Sequence, residues 1–538
     1  MSAPASPRGG PRGGLGARHA LVAFTVIAAA LRFATLDVQS FWFDEAATVG
    51  VLDRSFGAML AAIPRGESTP PLYYVVAWLW SQPFGLGEAG LRSLSALLGT
   101  ATVPVAFAAA GNLAGRRVGL WVAALAAVSP LLVWYSQEAR SYALLVLLGA
   151  LALWLFARLL RVPDGRDAAL WALVSALALA THYFALFLVV VQALWLLLAV
   201  PRRLALPTVG AVGLAAAALL PLALRQQRAE LAGFIDDGSL AVRVVQVVKQ
   251  LALGYDSPVE PLTAGIAVAI VVVGAALALH GAVAEAVRVW RAARARREPP
   301  PRSPTPTAPR VRAASGVRIA VALGGAAVAL PVLLALTGTD YVLTRNVILA
   351  WLPLAVIVVA GLASAGRVGV ASLATLAVLT LAATVGTALV PGWQRDDWRG
   401  AATAIGEPAA RAIVVTEPSQ AVPVELYRER AADPPVDPLV VEEVVALARR
   451  DGATAVSPGA EVIASLGLRV AERRVEPTYE LLRLVPEAGP VTISAAQALA
   501  LGLDMAERPS ALLAEPARGE PGASGERDAP AEPSSAGR

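Results

Sequence analysis

The chain has 538 residues, of which 57% are hydrophobic and 16% charged, and its mean hydropathy is +0.61, which points to a polytopic membrane protein rather than a water-soluble domain. Without a single cysteine, it has no disulfide framework and no Cys-based metal or thiol chemistry. The net charge of +5 rests on arginine, Lys249 being the only lysine, and reads as membrane topology rather than nucleic-acid binding.

Residues 1–18 form a polar Gly/Pro/Arg tail, expected to be cytoplasmic. A hydrocarbon core of roughly 30 Å takes about 20 apolar helical residues to cross. Eleven stretches fit or approach that length: 21–36, 91–111, 118–135, 142–160, 168–180, 184–200, 204–224, 262–283, 319–336, 347–363 and 368–390, the fifth being the shortest. A further apolar run, 70–84, is bounded by Pro70-Pro71 and Pro83 and is expected to lie in the interface without crossing. With it left out, Arg8, Arg12, Arg18, Arg116, Arg117, Arg158, Arg161, Arg202, Arg203, the basic cluster within 288–318 and Arg367 all fall on one side. Because basic loops stay cytoplasmic, this count puts the amino terminus inside and the carboxyl terminus outside the plasma membrane. The first apolar stretch lacks a following cleavage site and reads as a signal anchor. The Pro/Arg linker 284–318 is expected to be cytoplasmic and unstructured.

On this topology the outer loops hold the informative residues. Asp44 and Glu45 sit in Ser40-Phe41-Trp42-Phe43-Asp44-Glu45-Ala46, just beyond the first span. A carboxylate beside lipid is costly, so such groups tend to be kept for ion pairing, metal binding or acid/base work. The same loop carries Asp53-Arg54 and Glu67-Ser68-Thr69-Pro70-Pro71-Leu72-Tyr73-Tyr74, and its Tyr73, Tyr74, Trp78 and Trp80 suit an aromatic belt. Next comes Trp134-Tyr135-Ser136-Gln137-Glu138-Ala139-Arg140-Ser141-Tyr142, which places Glu138, Arg140 and Tyr142 at membrane depth. His182 in Thr181-His182-Tyr183 is the one histidine at an outer span end, whereas His19 and His280 lie near cytoplasmic ends and receive no role. Residues 239–253 align Arg243, Gln246 and Gln250 on one face of an interfacial amphipathic helix. Asp340-Tyr341-Val342-Leu343-Thr344-Arg345-Asn346 makes the last outer turn.

Beyond residue 390 the composition changes. Residues 391–487 read as a small extracytoplasmic α/β domain, with strands at 412–416, 454–457, 468–475 and 479–484 and helices at 421–430 and 440–450. It contains no nucleotide-binding glycine loop. The remainder, 488–538, is expected to be mostly a disordered tail, the Glu/Pro/Ala/Gly/Ser run beginning near Pro509.

The order of Phe43-Asp44-Glu45-Ala46, Pro70-Pro71-Leu72-Tyr73-Tyr74, Arg92, Ser136-Gln137-Glu138-Ala139-Arg140-Ser141-Tyr142 and Arg395-Asp396-Asp397-Trp398-Arg399 resembles the integral-membrane glycosyltransferases of the GT-C fold, of the protein mannosyltransferase and aminoarabinose transferase type (family 39-like). The resemblance implies an α-helical polytopic fold of about 11 transmembrane helices plus interfacial helices, with the catalytic part in 19–390. It implies transfer of a sugar from a polyprenyl-phosphate donor, at the bilayer, to an acceptor protein, lipid or polysaccharide. One departure is Thr69, where relatives often carry His or Lys.

Attack of a hydroxyl on an anomeric carbon needs a base near the nucleophile and donors near the departing phosphate. The resemblance makes Asp44 the base, with Glu45 in support. Arg140 and Arg345 are expected to clamp phosphate, since a guanidinium offers paired donors. Lys249, Arg243 and His182 are further candidates, and Glu138, Tyr142 and Tyr341 complete the expected substrate contacts. Cofactors are not fixed by the residues; a divalent metal shared by Asp44 and Glu138 is one expectation. For Glu138 and Arg140 an internal salt bridge is an equal reading. A secondary transporter and a non-catalytic lipid-carrier binding protein are the competing functions. The mid-span positions are overwhelmingly Ala, Val and Leu and no internal repeat is present, which favours an enzyme over a transporter.

Overall fold

The computed structural model describes residues 12–228, 239–295, 313–450, 460–506 and 509–517. In chain order the helices up to residue 389 are α1 (Arg12–Phe33), α2 (Phe43–Leu52), α3 (Phe56–Gly66), α4 (Leu72–Phe84), α5 (Glu88–Ala114), α6 (Arg116–Val128), α7 (Pro130–Ser136), α8 (Tyr142–Leu159), α9 (Gly165–Thr181), α10 (Leu186–Ala199), α11 (Arg202–Arg228), α12 (Leu240–Leu253), α13 (Leu262–Ala295), α14 (Ala313–Ala335), α15 (Trp351–Ser364) and α16 (Gly366–Leu389). Each of the eleven expected stretches is helical. Among the described residues, eight helices are long and apolar enough to cross a membrane, or nine if the bent pair α6–α7 is one span. The remaining two, α9 with 17 residues and the helical run Tyr183–Ala199, are shorter. α4 is a helix of 13 residues, too short to cross unaided. The protein is a multi-pass membrane protein. The linker 284–318 lies largely outside the described residues, although α13 runs on to Ala295.

The chain divides into two compact units, Met1–Leu36 with Ile63–Thr387, and Asp37–Ala62 with Ala388–Arg538. In the first unit α5 packs against α1, α6, α8 and α14, while α13 and α14 pack against α15. With little hydrophobic drive between helices in lipid, close approach through small residues supplies the packing. At the crossing of α13 and α15, a Cβ on Gly361 would stand 1.9 Å from the carbonyl oxygen of Gly274, so only glycine fits.

The bend between α6 and α7, 56°, has a local cause. Pro130 cannot donate a backbone N–H, and Ser129 caps the new helix by accepting from the Leu132 N–H at 3.4 Å. The break strips carbonyls at the end of α6 of helical partners, and other elements supply them. The buried Arg32 guanidinium donates to the carbonyls of Ala126 and Ala127, both at 3.0 Å, and to Ser136 Oγ at 3.1 Å. Thr384 on α16 donates to the Val128 carbonyl at 2.8 Å. Gln137 then donates to Thr35 Oγ1 at 2.7 Å and to the carbonyl of Leu31 at 3.1 Å, tying the far end of α7 to α1.

The second unit contains α17 (Trp398–Ala404), β1 (Arg411–Thr416), α18 (Ala421–Tyr427), β2 (Leu439–Val441), β3 (Glu443–Arg449), α19 (Ala460–Ser465), β4 (Leu468–Val475), β5 (Tyr479–Pro486), β6 (Val491–Ile493), α20 (Ala495–Ala506) and β7 (Ser510–Glu515). Five strands form one sheet in the order β4-β5-β3-β1-β7, in which β1 and β3 run parallel and the other pairs antiparallel. β1 is buried along its whole length, as a strand covered on both faces must be. Ile413, Val415, Val445 and Leu447 pack under Trp398 and Val424 on one face. Ala412, Val414, Val444 and Leu482 pack under Ile463, Ala498 and Leu501 on the other.

Three expectations for this region need correction. Residues 440–450 are not a helix but β2 and β3, because pairing of β2 with β6 and of β3 with β1 and β5 overrides the helical spacing of their valines. The expected tail from 488 instead carries β6, α20 and β7, and β7 is an integral strand of the sheet. The boundary at 390/391 is also incomplete, since residues 37–62 group with this domain. The strand expected at 454–457 lies outside the described residues.

Candidate functional site

In the helical unit, a polar cluster forms where α4, the segment after α7 and the end of α11 meet. Arg140 Nη1 pairs with Glu67 Oε2 at 3.2 Å and donates to the Tyr74 hydroxyl at 3.2 Å. The Tyr74 hydroxyl lies 3.4 Å from Thr69 Oγ1. Gln226 donates through Nε2 to the Thr69 carbonyl at 3.0 Å and accepts from the Tyr183 hydroxyl at 2.6 Å. Glu67, Thr69, Tyr74, Arg140 and Gln226 are all buried. Thr69 and Arg140, from different parts of the chain, thus both approach the Tyr74 hydroxyl.

Beside this cluster stands an aromatic wall. The Tyr142 ring is 4.7 Å from that of Tyr135 and 5.7 Å from that of His182, and Phe184 lies 5.3 Å from Tyr341. His182 ends α9 and caps the following turn, its Nδ1 accepting the Phe184 N–H at 3.3 Å. Burial, and then the guanidinium charges of Arg140 and Arg345, pull its imidazole down from 6.5 to about 3. A neutral imidazole whose Nδ1 accepts must carry its proton on Nε2, so His182 offers a ligand one N–H and no charge. Glu138, at the end of α7, is fully buried.

Lys249 and Arg243 are engaged elsewhere. α12 is the amphipathic helix expected from the sequence. Lys249 pairs with Glu260 at 2.8 Å and donates to the Tyr255 carbonyl, while Arg243 pairs with Asp340 at 2.5 Å. Burial pushes the Asp340 carboxyl up, but the hydrogen bond from Arg243 and the Val342 N–H outweigh it and hold the carboxyl below its ordinary value. Gln250 Oε1 accepts from Thr344 at 2.5 Å, so α12 braces the turn that carries Tyr341 and Arg345.

In the second unit, Asp44 and Glu45 open α2, where carboxylates are favoured by the helix dipole. Glu45 is fully buried and Asp44 half-buried. Thr48 Oγ1 donates back to the Asp44 carbonyl at 2.9 Å, stiffening this first turn. Among the described residues no group of three His, Asp or Glu side chains converges as a metal site would require.

The sequence placed Tyr73 and Tyr74 in an aromatic belt, whereas both are buried and the Tyr74 hydroxyl accepts from Arg140; it assigned no role to Glu67, Gln226, Tyr183 or Arg32. Glu67 did carry a signal, an acid next to the paired prolines at the membrane boundary. Gln226 and Arg32 carried none, because their roles depend on contacts across 157 and about a hundred residues of chain respectively.

Residues 68–224 match the model of the dolichyl-phosphate-mannose-protein mannosyltransferase family. No curated protein matches the chain in sequence. Among solved structures, ArnT from Cupriavidus metallidurans bound to undecaprenyl phosphate is similar at 14% identity and a TM-score of 0.45, covering 86% of this chain and 97% of that one. The Archaeoglobus fulgidus oligosaccharyltransferase, in complex with zinc and sulfate, is similar at 13% identity and a TM-score of 0.40, covering 72% of this chain and 55% of that one. The resemblance read from the motifs is thus met again over residues 68–224, the region that spans α4 to α11 and carries Arg140 and His182, which matches the protein mannosyltransferase family of membrane glycosyltransferases.

Proposed function

We propose that this protein is a membrane glycosyltransferase that moves a sugar from a polyprenyl-phosphate donor to an acceptor on the extracytoplasmic face, with inversion. The observation that carries the reading is the buried Arg140, paired with Glu67 and Tyr74, together with Tyr142 packed against His182, all inside the region matched by the mannosyltransferase family. A guanidinium and an uncharged N–H donor suit the oxygens of a phosphate that gains charge as the glycosidic bond breaks. Glu67 and Tyr74 hold the Arg140 guanidinium in place for such a ligand.

Asp44 accepts the proton of the acceptor hydroxyl as that oxygen bonds the anomeric carbon. The sugar–phosphate C–O bond breaks on the opposite side, and polyprenyl phosphate leaves with the electron pair. Glu45 supports the base, and Glu138, Tyr142 and Tyr341 contact the sugar. The distribution of arginine supports a cytoplasmic amino terminus and an extracytoplasmic α/β domain. The acceptor is a protein, a lipid or a wall polysaccharide.

Purified protein in liposomes, supplied with radiolabelled polyprenyl-phosphate mannose and related donors, tests the reading, with chelator added in parallel to test for a divalent metal. Asp44→Asn should lower turnover about 10²–10⁴-fold, the usual worth of a positioned base. Full turnover by Asp44→Asn would remove Asp44 from the role. Absence of transfer with every such donor, together with net uptake of label, would favour a transporter.

A further inference from the structure

The segment that leads into α2 is held by the α/β domain along its whole length, with every contact inside one compact unit. Gln39 Oε1 accepts the Arg395 N–H at 3.0 Å. Ser40 Oγ donates to the Asp396 carbonyl at 2.8 Å and accepts the Trp398 N–H at 2.9 Å. The Phe41 N–H donates to the Tyr427 hydroxyl at 2.7 Å, and α18, which ends at Tyr427, packs on α2. Arg399 Nη2 donates to the carbonyls of Asp37 and Val38 at 2.9 and 3.2 Å.

The partner stretch has its own local device. Asp397 caps α17 by accepting the Gly400 N–H at 2.9 Å, and a Cβ on residue 400 would stand 2.1 Å from that carboxylate. The turn is therefore fixed before it receives Ser40. Trp42, the residue before α2, has extended backbone and gives no side-chain cap, so the entry angle of α2 is set by what holds residues 37–41. A helix seven residues long, α17, thus serves as a template for the position of Asp44, three residues beyond Phe41.

We infer that the α/β domain positions the catalytic acid: Ser40 and Tyr427 are positioning residues that fix the first turn of α2, and through it the Asp44 carboxylate. This rests on the reading of Asp44 as the base. It gives the domain a part in the reaction other than covering or acceptor docking.

The test uses the full chain, with Tyr427→Phe, Ser40→Ala and Ser40→Thr. Tyr427→Phe removes only the oxygen that accepts the Phe41 N–H, and Ser40→Thr retains the bridging hydroxyl. A misplaced reacting group commonly costs on the order of 10- to 100-fold, so Tyr427→Phe and Ser40→Ala should lower kcat by about that factor, with donor KM changed less than about twofold. Ser40→Thr should stay near wild type. Hydrogen exchange across residues 39–52, read without any substrate, should quicken in the two impaired variants and not in Ser40→Thr. Unchanged kcat, or unchanged exchange, in both Tyr427→Phe and Ser40→Ala would overturn the inference. If Asp44→Asn proves fully active while exchange still quickens, the base assignment has failed and the clamp has not.

Discussion

Arg32 in the helical unit and Arg411 in the α/β domain are both enclosed, 1% and 3% exposed, yet their partners differ in kind. Arg32 is met by neutral oxygens, the carbonyls of Ala28, Ala126 and Ala127 and the Ser136 hydroxyl. Arg411 donates to the carbonyls of Ile405 and Glu407 but is met in addition by carboxylates, Glu443 at 2.9 Å and Glu515 at 3.3 Å, and these in turn hold Arg483 and Arg428. Register explains the second arrangement, because Glu443 and Glu515 stand directly opposite Arg411 on the two flanking strands. The first follows from the broken span, whose bared carbonyls at a helix C-terminus attract a cation. A buried guanidinium can therefore serve either as one charge in a lattice of charges or as a multi-pronged donor to a damaged helix.

The two modes predict different penalties. Arg411→Met takes one arginine partner from buried Glu515 and half-buried Glu443, leaving each a single counter-charge, and should cost about 3–5 kcal/mol, read as early loss of exchange protection in β1 and β7 of the full chain. Equal stability in this variant would mean that the row of charges is dispensable. Arg32→Met strands neutral acceptors only and should cost about 1–3 kcal/mol, with faster exchange confined to residues 126–136. A global loss matching that of Arg411→Met would erase the distinction.

His182 sharpens the contrast by a third route, since it stays uncharged. Its folded value of about 3 lies below the ordinary 6.5, so between these limits the unfolded chain binds the extra proton. The stability it contributes is complete above about pH 6.5 and is lost as pH falls towards 3. Wild type should accordingly lose more thermal stability between pH 7.5 and pH 5 than His182→Gln does, a smaller effect than either arginine change. Parallel slopes would show that the imidazole titrates alike in the folded and unfolded chain.

What the sequence disclosed followed the range of the forces involved. Long apolar runs, the amphipathic α12 and the strand at Leu468–Val475 are local patterns, and they appear as expected. The run Val440-Val441-Glu442-Glu443-Val444-Val445 satisfies both a helical and a strand period, and its partners decide between them, β6 for the first valines and β1 and β5 for the rest. Residues 510–515 fall in the run whose composition reads as a disordered tail, yet register with β1 makes them a strand. In the candidate site, Arg140 and His182 were legible from their placement at span ends. Tyr74 and Gln226 were not, because their hydroxyl and amide acquire meaning only through partners such as Arg140 and Thr69.

The pairing of β7 with β1 also bears on biosynthesis. Arg411 leaves the ribosome about a hundred residues ahead of Glu515, the carboxylate opposite it, after every candidate span has already been made. Until Ser510–Glu515 arrives, β1 presents an open edge of valine and isoleucine and an arginine short of one counter-charge. A nascent chain halted before that point carries a sticky, incompletely neutralised strand, the kind of surface that chaperones and proteases bind.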